Sequence, residues 1–233
     1  MGSPGTSKRT YHHGDLRNAL ISAAAELAAR GGPASVTIRA AARLVGVTPT
    51  AAYRHFAGHE ELLWAAKDRA VEELTAAMDK ELAARPRSED PVQYALGSLA
   101  ALGRGYLAFA RAQPGLFATV FSAEYSEKGT LFAGGEEQAI DGPYTLLLSA
   151  LDELVEVGYL SPARRPLAEF AAWSMVHGMA VLLDGPLRDV DDEVREQAVV
   201  RSMLILGHGL SGNGLTPEQE QVMVGEMTAA VSG

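Results

Sequence analysis

The chain contains no cysteine. That absence removes disulfides, thiolate metal sites and cysteine nucleophiles together. It suits a reducing compartment, and a cytoplasmic location is expected. Also missing is any apolar run of about eighteen residues, the length a membrane span requires, so no membrane partner is expected. The start, Met1 to Tyr11, is polar, carries Lys8 and Arg9 and has no apolar stretch behind it, unlike a secretory signal. Residues 1–12 are expected to form a flexible arm. Period-two alternation is nearly absent, which argues against a sheet. No Gly-x-Ser-x-Gly elbow, phosphate-binding loop or His-Glu-x-x-His occurs, and the carboxylates are scattered over helix surfaces. An enzyme is therefore not expected, and no cofactor or metal is implied. Repeats and low-complexity tracts are missing too.

What is present is an ordinary globular composition, 47% hydrophobic and 21% charged, so a folded core is expected. The net charge of −9 is unevenly spread. Residues 1–57 hold seven basic side chains (Lys8, Arg9, Arg17, Arg30, Arg39, Arg43, Arg54) against Asp15 and Glu26, a balance of +5, and the remainder carries −14. A basic N-terminal segment attracts phosphates locally, while the acidic bulk keeps the rest of the protein away from a polyanion.

Helical periodicity dominates. Leu16, Ala19, Leu20, Ala23, Ala24, Leu27 and Ala28 fall on one helix face, which Gly31, Gly32 and Pro33 terminate. Ile38, Ala41, Ala42 and Val45 repeat the spacing over about two turns, behind Thr37 as a capping hydroxyl. Gly46 stands where a tight turn needs positive φ. Thr48 and Pro49 restart the chain as a cap followed by proline at the first helical position, predicting a third helix over 49–55 closed by Phe56. Further helices are predicted over 60–84, 91–112, 115–122, 143–157, 163–184 and 191–208, with a weaker one near 217–230. Residues 123–142, rich in glycine, are expected to form a long mobile loop. Asp189, Asp191, Asp192 and Glu193 read as a helix start favoured by the helix dipole rather than as a cation site. His12 and His13 lack partners at metal-ligand spacing and are assigned to the arm.

Two short helices joined through Gly46 and flanked by arginines are what a DNA-reading helix-turn-helix needs. Its second helix must offer small or polar side chains to base edges, and Thr48, Thr50 and Ala51 satisfy that, with Tyr53, Arg54 and His55 within reach of phosphates. The stretch from Thr37-Ile38-Arg39 through Gly46-Val47-Thr48-Pro49-Thr50-Ala51-Ala52-Tyr53-Arg54-His55-Phe56 resembles the DNA-binding domain of TetR-family regulators. The lead-in Tyr11-His12-His13-Gly14-Asp15-Leu16-Arg17 resembles one branch of that family. The resemblance implies phosphate binding by Thr37, a base contact from Arg39, base-facing Pro49, Thr50 and Ala51, and a backbone grip by Tyr53 and His55. Two departures stand out. His59 occupies the place of a usual phosphate-binding lysine, and a neutral imidazole donates a hydrogen bond without supplying charge; the grip is then weaker or pH-dependent. Ala52 replaces a usual leucine or isoleucine, so the first helix is expected to sit closer.

Farther along, Trp173-Ser174-Met175-Val176-His177-Gly178 resembles a tryptophan-histidine-glycine motif of one group of TetR ligand domains. Trp173 and His177, four residues apart, share a helix face. With Tyr106, Phe109, Phe117, Phe121, Met175 and Met179 they would line an apolar cavity bearing one polar handle, although each of these side chains also serves as plain core.

The expected architecture is all-α. An arm (1–12) precedes a three-helix helix-turn-helix domain (13–58) and a larger C-terminal helical bundle (59–233) for ligand binding and dimerisation. The resemblance implies a homodimer on palindromic operator DNA, a small-molecule effector and, most simply, repression. The dimer is assigned to helices 163–184 and 191–208 through Leu167, Phe170, Val199, Met203 and Leu206. The alternative reading is a helical protein-interaction module with a vestigial DNA-binding domain.

Overall fold

The computed structural model describes residues 13–122 and 142–212, together with a few positions between 215 and 224. The expected arm, all of the expected 123–142 loop except Gly142, and most of the weak helix near 217–230 lie outside the described residues. Among the described residues the chain is all helical: α1 (His13–Gly31), α2 (Ile38–Val45), α3 (Pro49–Ala52), α4 (His59–Ala84), α5 (Pro91–Ala112), α6 (Pro114–Val120), α7 (Pro143–Glu156), α8 (Ala168–Asp184) and α9 (Asp192–Ser211). A turn of 3-10 helix, Pro33–Ser35, follows α1.

Local chemistry accounts for most helix ends. Gly32 adopts φ 68° beyond α1, and the Ser35 hydroxyl lies 2.6 Å from the carbonyl oxygens of both Leu27 and Gly32, tying the turn to the end of the helix. The Asp90 carboxylate accepts from the amides of Val92 and Gln93 at the start of α5. Asp191 does the same for Glu193 at 2.9 Å in front of α9, so the acidic cluster caps a helix as expected.

Three boundaries differ most from expectation, one being that α9 runs on to Ser211 instead of ending at 208. The third helix keeps α geometry only to Ala52. Residues 53–55 continue as tighter turns, with Arg54 and His55 donating to carbonyls three residues back. Helix α8 begins at Ala168 rather than 163 because Pro166 disfavours helix before it and Leu167 takes φ 65°.

The chain forms two compact units, divided inside α4. One contains residues up to Ala76 and the α6 segment; the other contains Ala77–Arg111 and the residues from α7 onward. In the first unit, Leu20, Ala24 and Ala28 of α1 are fully buried, as are Ala41 and Ala42 of α2, Ala52 of α3, and Ala66, Ala70 and Leu74 of α4. α1 packs on α2 and on α6. The α6 contact is close: a Cβ on Gly115 would fall far inside van der Waals distance of the Ala28 carbonyl oxygen.

The second unit buries Leu102, Tyr106 and Phe109 of α5, Leu151 and Leu154 of α7, Ala172 and Trp173 of α8, and Leu206 and Leu210 of α9. α4 and α5 nearly touch where a Cβ on Gly105 would lie 2.5 Å from the Cα of Met78. Arg165 ties α7 to α8, bonding Asp152 at 2.6 Å and the buried Glu169 at 2.8 Å. Removing Arg165 would strand a buried carboxylate, the costly way to break such a pair.

Candidate nucleic-acid interface and apolar cavity

The turn between α2 and α3 is built from two threonine caps and one glycine. The Thr37 hydroxyl oxygen accepts from the Ala40 amide at 3.1 Å, and that of Thr48 accepts from Ala51 at 3.2 Å. Each hydroxyl commits a lone pair to its own helix and keeps its proton for an outside acceptor. Gly46, at φ 78°, closes α2, and Val47 donates back to the Ala42 carbonyl at 2.9 Å. Ile38, Ala41, Ala42 and Ala52 anchor the inner side, and Phe56 is 1% exposed.

The outer side presents what the sequence reading assigned to DNA. Thr37, Arg39, Thr48, Pro49, Thr50, Tyr53, Arg54 and His59 are exposed, and Ala51 and His55 are half-buried. His59 opens α4, where the positive end of the helix dipole favours an anion.

The structure sorts the basic residues of this segment. Lys8 and Arg9 lie outside the described residues. Arg17 is engaged by Glu61 at 3.9 Å and lies 5.0 Å from the centroid of the Phe56 ring, and Arg30 is bonded to Glu26. Arg39, Arg43 and Arg54 are exposed and carry no ion pair among the described residues. Arg43, on the last turn of α2, was not assigned a site role from sequence. Its signal was the charge itself, whose direction periodicity did not reveal.

In the second unit, a cavity of about 40 Å3 is lined chiefly by Met78, Leu102, Tyr106, Trp173, Met203 and Leu206. Tyr106 supplies the polar handle. Its hydroxyl lies 2.8 Å from Nδ1 of His177. Burial pushes the phenol pKa up and the imidazole pKa down. Burial thus favours the neutral form of both groups, and the imidazole tautomer sets which of them donates in this hydrogen bond.

Of the eight side chains expected around this cavity, Tyr106 and Trp173 line it and His177 bonds Tyr106, whereas Met175 and Met179 do not line it. Phe109 is buried on α5 without lining it. Phe117 and Phe121 belong to the first unit, their rings 4.9 Å apart, because α6 packs on α1. Two residues expected at a dimer surface, Met203 and Leu206, face this cavity instead. The outward apolar residues of α9 are Val194, Val200, Leu204 and Ile205, and those of α8 include Phe170, Val181 and Leu182.

A capped helix, a glycine turn and a second capped helix with a polar, cationic outer face define a helix-turn-helix protein. Residues 20–66 match the family model for bacterial regulatory proteins of the tetR family. Residues 99–210 match the model for the tetracyclin repressor-like C-terminal domain. The chain thus carries the N-terminal DNA-binding domain and the C-terminal domain of the TetR family.

No curated protein sequence matches the chain. Solved structures share its fold. A protein of unknown function from Rhodococcus sp. RHA1 is 24% identical, with TM-score 0.68, covering 88% of this chain and 100% of that one. A tetR-family transcriptional regulator from Streptomyces coelicolor is 20% identical, with TM-score 0.53, over 95% of this chain and 100% of that one. The TetR-family regulator PfmR from Thermus thermophilus is 22% identical, with TM-score 0.51, over 86% and 97%. Among the described residues no helix is long and apolar enough to cross a membrane.

Proposed function

We propose that the protein is a cytoplasmic, ligand-responsive transcriptional repressor that binds a palindromic operator as a homodimer and is released by a small molecule. The observation that carries this reading is the α2–turn–α3 unit, whose exposed face gathers Thr37, Arg39, Thr48, Thr50, Tyr53 and Arg54 over a buried alanine floor. In this reading Arg39, Pro49, Thr50 and Ala51 meet bases, while Thr37, Tyr53, His55 and His59 hold phosphates. One such helix reads only a few base pairs. Two copies spaced about 34–36 Å apart reach successive major grooves. The exposed apolar residues of α8 and α9 supply a surface for pairing two chains.

The effector site is the cavity lined by Tyr106 and Trp173, and the C-terminal domain is of the tryptophan-histidine-glycine group. At about 40 Å3 the cavity holds little more than water-sized contents; a dry cavity of about 150 Å3 accommodates benzene. An effector must therefore widen it, and the flexible thioethers of Met78 and Met203 are suited to yield. α4 contributes Met78 to this cavity and begins at His59 in the DNA-binding head. Widening at one end of that helix thus disfavours the DNA-competent arrangement at the other, with a coupling of about 1–3 kcal/mol.

The test is capture of genomic fragments by the purified protein, followed by sequencing and by gel shift on the promoter beside its own gene. Recovery of a near-palindromic site is expected. Indifference to duplex DNA of every sequence at low salt would sink the proposal.

A further inference from the structure

The second unit holds another opening, a cleft of about 700 Å3, within the range of about 300–1,000 Å3 that small-molecule sites occupy. Its lining includes the apolar side chains of Leu107 of α5, Leu183 of α8 and Val199 of α9, together with Arg104, Arg111, Arg188 and Arg195. It shares helices with the apolar cavity but no residue, and α5 turns one face to each.

Three of the arginines are matched internally. Arg104 bonds Glu81 at 3.2 Å, Arg188 bonds Asp184 at 2.9 Å and Arg195 bonds Asp192 at 2.9 Å. Arg111 carries neither an ion pair nor a hydrogen bond among the described residues. The Nε of Arg195 is shielded from solvent with no acceptor among them. The unengaged guanidinium of Arg111 beside apolar lining complements a carboxylate on an apolar body, because guanidinium takes a carboxylate in parallel bonds. Glu196, on the same wall, also lacks a partner among the described residues, and its charge opposes a second carboxylate. We infer that this cleft is a second ligand site, separate from the apolar cavity, which takes a small organic monocarboxylate through Arg111.

The test uses the full chain without DNA, so that its outcome is independent of operator binding. Isothermal titration calorimetry compares 4-phenylbutyrate with the uncharged 4-phenylbutyramide. The carboxylate binds at least about tenfold more tightly than the amide, and Arg111→Gln, an exposed position, reduces it to the level of the amide. Leu102→Phe, which fills the other cavity, leaves carboxylate binding unchanged. Equal affinity for acid and amide, wild-type affinity in Arg111→Gln, or no binding of the carboxylate at millimolar concentration overturns the inference. So does loss of carboxylate binding in Leu102→Phe with Arg111→Gln unaffected, since the probe then occupies the apolar cavity.

Discussion

Replacing Arg54 by glutamine isolates the electrostatic part of the proposed function. Of the basic residues in segment 1–57, Arg39, Arg43 and Arg54 are exposed without an ion pair among the described residues. With Arg39 assigned to a base, Arg43 and Arg54 of the proposed dimer leave four guanidinium groups for phosphates. Counterion release gives a slope of about −0.9 in log K against log salt for each phosphate neutralised, so about −3.6 in total. Between about 50 and 200 mM salt the wild type then loses affinity by about 150-fold. Arg54→Gln removes two of the four and loses only about tenfold over the same interval. Arg17→Gln is the control, because Arg17 is already engaged by Glu61 and the Phe56 ring, and its slope stays that of the wild type. Fluorescence anisotropy with a labelled operator, titrated at several salt concentrations, reads all three proteins. Equal flattening in Arg17→Gln and Arg54→Gln, or none in either, refutes the sorting of the arginines.

Other predictions rest on single contacts. Tyr53→Ala weakens binding to all duplexes alike, whereas Arg39→Ala costs about 1–3 kcal/mol at one operator position; competition with random DNA separates the two. Burial lowers the His177 pKa, so the unfolded chain binds the extra proton and stability falls as pH drops below about 6.5. The melting temperature of His177→Gln should decline less between neutral pH and about pH 5.5 than that of the wild type, and an identical decline would remove His177 as the source. Gly115→Ala drives a methyl into the Ala28 carbonyl oxygen, and urea unfolding should show a loss of about 1–3 kcal/mol. An unchanged midpoint would mean that α6 moves away from α1 at little cost.

The helix-turn-helix was legible because its signals act over three or four residues. Thr37 and Thr48 cap the helices that immediately follow, Gly46 supplies the left-handed turn, and Pro49 sits where its missing amide is no loss. The start of α8 was equally local, since Pro166 precedes it, yet apolar spacing extended the expected helix past that signal.

What periodicity leaves open is the identity of the neighbour. It places Met203 and Leu206 on one face of α9 and Val200 and Leu204 on another, but only packing shows that the first pair faces the cavity. The same holds for Phe117 and Phe121, which α6 carries into the first unit although two long helices, α4 and α5, lie between them and α3 in the chain. Charge behaves likewise, for Arg17 and Arg54 look equivalent until Glu61 and Phe56 are seen to occupy one and not the other. Short-range backbone chemistry is written in adjacent residues. The pairing of faces is a property of elements remote in the chain, and it is settled by which surfaces exclude water together.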